Sequence, residues 1–185
     1  MTVRVSLIAP ALTAGLRAAA FDDAGPVELP PAGLDPLRLA ASVRVVGSPS
    51  GRCRATAEAL GVTTALPEPA LAGCAMGRWR GRRLDELTAE EPESVAAWLA
   101  DPGAAPHGGE SLRELRARVG RWLDQLGGSE SVCVFAEPDV IRAAVAHALG
   151  APEEVFWRLD VRPLHRVELS GRAGRWNLRL GAPLS

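Results

Sequence analysis

The chain carries three histidines, His107, His147 and His165, and 21 basic residues that are all arginine. Arg52 stands inside residues 48–58, SPSGRCRATAE, directly after the β-branched run VRVV. Glu137 and Asp139 flank Pro138, directly after the apolar run SVCVFA. An arginine beside a strand end grips phosphoryl or carboxylate oxygens through its planar fork. A histidine there attacks phosphorus or acyl carbon, and a carboxylate there acts as general base or cation ligand. The cysteines Cys53, Cys74 and Cys133 fit neither a disulfide framework nor a zinc knuckle, so they read as packed, reduced thiols.

Each group is only as useful as the element that carries it. Residues 3–8 and 43–46 read as buried strands, and 51–60 as a helix stopped by Gly61. Residues 131–136 and 139–149 repeat the strand, turn, helix order, which is the βα unit of a layered α/β protein. Residues 22–36 are a Pro- and Gly-rich loop, with 37–41 a short helix after it. Residues 84–90 and 92–99 read as helices. Residues 111–126 form the most regular helix, with Leu112, Leu115, Val119, Trp122, Leu123 and Leu126 on one face and a Ser111/Glu114 capping box. Residues 164–169 and 175–180 alternate as two late strands. The expected architecture is one α/β domain over 1–185 with a largely parallel central sheet and a small cap over about 72–110.

On this frame the histidines separate. His147 sits roughly 12–15 Å along the helix that follows Glu137, at 1.5 Å per residue, too far to reach its start. His165 falls on a late strand and reads as structural. His107, in a cap-side loop, is either a ligand contact or a solvated loop residue.

Composition removes whole classes. With 21 basic and 22 acidic residues the net charge is -1, against a globally basic nucleic-acid binder. The apolar N-terminal run is broken by Pro10, and no stretch reaches the roughly 18 apolar residues of a membrane span. A cytoplasmic protein is expected. The five tryptophans are spread along the chain and read as packing. Arg78, Arg80, Arg82 and Arg83 form a local basic cluster, either a solvated face or a surface for an acidic ligand or partner.

Four stretches then resemble one family. Residues 48–58 are similar to the S-P-x-x-R-x-x-x-T-A-E signature of the histidine phosphatase (phosphoglycerate mutase-like) superfamily. Residues 77–81, GRWRG, resemble its G-x-W-x-G, and residues 106–111, PHGGES, its P-x-G-E-S with one residue inserted or substituted. Residues 132–142 with Gly150 resemble its last strand and helix, V-x-V-x-H-G-G-V-I-R with a downstream L-G. The resemblance implies a three-layer α/β/α sandwich with its site at the carboxyl ends of the strands. It implies a histidine nucleophile after the first strand, a second histidine and two arginines on the phosphate, and a carboxylate proton donor in the cap. It implies no cofactor, and no metal-ligand set stands out.

The chain departs from that pattern where the chemistry lies. The family's R-H-G-E-T aligns with residues 9–13, APALT, so the arginine is Ala9, the nucleophile is Pro10, and Thr13 persists. The second histidine aligns with Glu137. The proton donor aligns with Gly73. Of the phosphate-handling set, Arg52 alone remains. The degenerate pocket is thus Ala9, Pro10, Thr13, Arg52, Gly73 and Glu137, and the residues left for ligand contact are Arg52, His107, Glu137 and Asp139. Glu137 either pairs with Arg52 and closes the pocket, or joins Asp139 and Cys74 around a cation or amine. Three functions stay open: a pseudoenzyme binding a small molecule or a protein, an enzyme of another class with Glu137 as general base and Arg52 as anion clamp, or residual phosphatase or phosphomutase activity.

Overall fold

The computed structural model describes residues 2–21, 25–172 and 174–180. Among these, one mixed sheet runs in the order β3-β2-β4-β1-β5-β6. Its members are β1 (Val3–Ile8), β2 (Val43–Gly47), β3 (Leu66–Pro67), β4 (Ser131–Phe135), β5 (Arg166–Arg172) and β6 (Arg175–Arg179). β3, β2, β4 and β1 are parallel, and β5 and β6 close one side antiparallel. This is the mostly parallel α/β fold that the sequence pattern and the family resemblance predict.

Side-chain alternation explains the layers. Val3, Val5 and Leu7 of β1, Val132 and Val134 of β4, Leu169 of β5 and Trp176 of β6 share the main core. Helices α5 (Leu112–Gln125) and α6 (Pro138–Ala148) supply Leu115, Val119, Trp122, Leu123, Val140 and Ile141 to it. The Ser111 hydroxyl accepts from the Glu114 amide and Glu114 returns to the Ser111 amide, fixing where α5 begins. On the opposite face α2 (Gly51–Ala59) lays Cys53 and Ala57 over Ile8, Cys133 and Phe135.

Two local expectations are corrected. Residues 37–41 are not helical. Leu37 and Leu39 both pack on the α2 core while Arg38 and Ala40 are exposed, a period of two that holds the segment extended. Residues 14–17, to which the sequence pattern assigns no element, form a one-turn helix, α1 (Ala14–Arg17), capped by the Thr13 hydroxyl. His165 precedes β5 instead of lying within it.

Residues 76–100 hold α3 (Leu84–Glu90) and α4 (Pro92–Ala100) around a core of Trp79, Leu87, Val95 and Trp98, with Phe21 against it. Trp79 and Trp98 cross edge to face at 5.7 Å, and Trp157 meets Trp98 at 4.8 Å. Tryptophans distant in sequence therefore join in space. The basic cluster here is neutralised by the acids of α3 and the residue after it. Arg78 pairs with Glu91, Arg82 with Glu90, and Arg83 with Asp85. No described helix is long and apolar enough to cross a membrane.

Candidate functional site

Of the residues singled out by sequence, Ala9, Pro10, Arg52, Gly73, Glu137 and Asp139 meet at the carboxyl ends of β1 and β4. The turn leaving β1 is pinned on both sides. The Ala9 amide donates to His165 O, the Ala9 carbonyl accepts from the Leu164 amide, and the Ala11 amide donates to Thr56 Oγ1 at 3.0 Å. Pro10 between them is buried. Arg52, one turn above Thr56 on α2, donates from Nη1 to Ala11 O at 3.2 Å. Thr56 and Arg52 of the signature thus hold a turn whose own chemistry is apolar.

Glu137 occupies the N-cap position of α6, ahead of Pro138 in the first turn. Its carboxylate pairs with Arg52 Nη2 through Oε2 and accepts from Ser50 Oγ at 2.6 Å through Oε1. Cys53 Sγ lies 3.5 Å from Oε1. The ion pair is buried, with 4% of the Arg52 side chain and 10% of the Glu137 side chain exposed. Ser50 does double duty, because its hydroxyl also caps α2 by accepting from the Cys53 amide at 3.1 Å. The Arg52–Glu137 pair is the closed-pocket arrangement that the sequence left open.

Gly73 adjoins the same carboxylate. A β-carbon on Gly73 would lie 3.2 Å from Glu137 Cγ and 3.6 Å from Asp139 Oδ2. The position aligned with a proton donor therefore does border the site. Asp139 Oδ2 accepts from the Cys74 amide at 2.6 Å, and Oδ1 from the Val140 amide at 2.8 Å. Burial raises the Asp139 carboxyl above its ordinary range, and the neighbouring Glu137 charge adds to the rise. Both Asp139 oxygens are turned to backbone amides, and among the described residues no group of three or more His, Cys, Asp or Glu is placed to hold a metal ion. Burial pushes the Cys53 and Cys74 thiols up as well, so neither is poised as a thiolate nucleophile.

His107 is not brought to this cluster, and it is not a solvated loop residue. It is 1% exposed and lies against Trp79, ring centroids 5.1 Å apart. Its Nδ1 accepts from the Gly109 amide at 3.0 Å, and its Nε2 is buried without a partner among the described residues. Burial lowers its basicity, with the Arg78 charge adding to the effect. Desolvation by a tryptophan some thirty residues upstream in the chain is invisible to motif reading. His147 pairs with Asp124, and His165 Nδ1 meets Pro163 O at 2.9 Å, both as structural groups.

Two surface cavities flank Glu137. One, about 170 Å³, is lined by Ser48, Ser50, Cys53 and Leu66. The other, about 650 Å³, is lined by Gly73, Ala75, Gly109, Glu110 and Arg118. The Arg52–Glu137 pair lines neither.

The motif pieces, their order and this sheet carry one family signature, and the sequence profile of the histidine phosphatase superfamily (branch 1) matches residues 35–182. The chain belongs to the histidine phosphatase superfamily. β1 and the 9–13 turn precede the matched residues. The adenosylcobalamin/alpha-ribazole phosphatase of Salmonella typhimurium is 30% identical over 132 residues, covering 68% of this chain and 65% of that protein. The glucosyl-3-phosphoglycerate phosphatase of Mycobacterium tuberculosis is 35% identical over 107 residues, covering 56% of this chain and 48% of that one. The matched segments thus span about half to two thirds of these relatives. A mycobacterial glucosyl-3-phosphoglycerate phosphatase solved with VO3 superposes with a TM-score of 0.76 at 25% identity, covering 96% of this chain and 97% of that one. The alpha-ribazole phosphatase from Shigella flexneri gives 0.72 at 21% identity over 96% of this chain and 95% of that one, a likeness of fold alone.

Proposed function

We propose that this histidine phosphatase homologue has kept the fold and left phosphohistidine chemistry, and that it acts by binding a small molecule or a protein partner. One observation carries the reading. The arginine that remains of the phosphate-handling set, Arg52, is already paired with the carboxylate of Glu137, in the position aligned with the second histidine. A phosphate dianion entering there meets a carboxylate at contact range, which is repulsive. Pro10, aligned with the nucleophile, offers no nucleophilic side-chain atom and no side-chain donor. Gly73, aligned with the proton donor, has no acid to give.

The pairing also weighs against Glu137 as a general base, since its oxygens are already held by Arg52 and Ser50. A residual phosphatase is the second reading. It is favoured by the named activities of the relatives and by Arg52 Nε, which is buried with no hydrogen-bond partner among the described residues.

A single preparation tests both. Purified protein is assayed against an aryl phosphate, and its thermal midpoint is read with and without inorganic phosphate. The proposal expects no turnover above the buffer rate and no shift. Turnover at a rate usual for a phosphatase, or stabilisation by phosphate, overturns it. The triple substitution A9R/P10H/E137H is expected to stay inert, because Ala9 is fully buried and position 73 still lacks an acid.

A further inference from the structure

Strand register places a second chemical feature on the molecule. Across β1 and β5, Arg4 lies opposite Ser170, Ser6 opposite Glu168, and Ile8 opposite Arg166. Across β5 and β6, Glu168 lies opposite Arg179, Ser170 opposite Asn177, and Arg172 opposite Arg175. Paired residues share a face, so all of these stand on the side away from α5 and α6. There α2, with Leu37 and Leu39, packs over Ile8, Cys133 and Phe135. Arg4, Arg166, Arg172, Arg175, Asn177 and Arg179 are exposed. Half of this side of the sheet is therefore bare.

Its charge is one-sided. Among the described residues of these three strands, five arginines share the face with one carboxylate, Glu168. Glu168 is spent within the face, 3.8 Å from Arg166 and 3.6 Å from Arg179. Arg4, Arg172 and Arg175 make no ion pair among the described residues. A chain of net charge -1 thus gathers an excess of four positive charges on one surface. The cluster Arg78–Arg83, more obvious in sequence, is by contrast paired with its own acids.

We propose that this face docks an acidic polypeptide segment that presents a row of carboxylates. Guanidinium forks match carboxylates in pairs, and Ser170 and Asn177 between them supply neutral hydrogen-bonding groups. The three strands present no aromatic side chain on this face, so it lacks the stacking platform by which sheets take unstacked bases. Its residues line neither of the two cavities beside Glu137. On its outer side β6 has no strand partner among the described residues, leaving main-chain groups to extend the contact. The inference uses no residue around Arg52 and Glu137 and stands whether or not the cleft is catalytic.

The test is fluorescence anisotropy with a labelled peptide of alternating glutamate and serine, which is free to extend along β6. Parallel arms use a lysine and serine peptide and a single-stranded oligouridylate. The intact chain is expected to bind the acidic peptide, more weakly as salt rises, and to bind neither of the others comparably. R172A/R175A/R179A is expected to lose about tenfold in affinity, with unchanged circular dichroism. R38A/R54A/R121A, which removes the same charge from exposed positions elsewhere, is expected to retain it. No binding at low salt, tighter binding of the oligouridylate, or equal loss in both triple variants overturns the proposal.

Discussion

Glu137→Ala removes the carboxylate that meets Arg52, Ser50 and Cys53, and leaves a guanidinium with 4% of its side chain exposed. Arg52 then retains one protein acceptor, Ala11 O at 3.2 Å. Breaking a buried pair from one side costs about 3–5 kcal/mol, because the remaining charge is uncompensated. For a domain of this size that is a fall of about 6–20 °C in the thermal midpoint, at roughly 2–4 °C per kcal/mol. Glu137→Gln keeps the shape and the acceptor oxygen but drops the charge, so its midpoint is expected between the two. The paired replacement Arg52→Met/Glu137→Leu removes both charges and is expected to be near neutral, or more stable by about 1–4 kcal/mol. Calorimetry or denaturant melts read all four proteins. A second arm adds inorganic phosphate. Glu137→Ala strands a buried cation in need of an anion, so phosphate raises its midpoint while leaving the parent unmoved. An alanine variant within about 2 °C of the parent would refute the buried pair, since the least of these costs predicts more. Equal phosphate stabilisation of parent and variant would refute the reasoning that Glu137 displaces phosphate.

Three further outcomes follow from the buried groups and one close contact. His107 is held neutral in the fold, so the unfolded chain takes up a proton first, and stability is lost as pH falls below about 6.5. His107→Gln removes that acid-side slope in urea melts; a slope unchanged by the substitution would count against a buried neutral imidazole. Asp139 is shifted the other way, its folded carboxyl holding a proton more tightly than the unfolded one. Its contribution is most favourable below about pH 4 and is lost as pH rises above that value. Asp139→Asn should therefore gain on the parent between pH 4 and neutrality, and a constant difference across that range in the same melts would contradict the assignment. A β-carbon on Gly109 would overlap the Ala75 carbonyl oxygen, which also accepts the Glu110 amide. Gly109→Ala is expected to lower stability by several kcal/mol, and a melt within about 0.5 kcal/mol of the parent would show that the two segments separate freely.

What the sequence discloses here depends on how far each contact reaches along the chain. The helix α5 and the two strand–turn–helix units were legible because their periodicity and caps are local, and the aligned motifs brought Arg52, Gly73 and Glu137 to one place in advance. The same motifs could not say whether Glu137 would turn to Arg52 or to Asp139. That choice rests on the Ser50 hydroxyl, which bonds Glu137 across 87 positions of sequence. Its N-cap role on α2 was the available signal. Leu37 and Leu39 misled for the opposite reason. Two leucines spaced by two fit either a strand or a weak helix, and only the α2 core beneath them decides. For His107 the sequence leaves a ligand contact and a solvated loop residue both open, and it is neither solvated nor at the cluster because Trp79 covers it. The basic face follows the same logic. Alternation along β5 and β6 was visible as strands, but the charge becomes a surface only when the β1 register adds Arg4 beside Ser170 and places α2 over the other half of the sheet. The family signature places the cleft where Arg52, Gly73 and Glu137 meet, whereas the charged face of β1, β5 and β6 rests on residues that the signature does not contain.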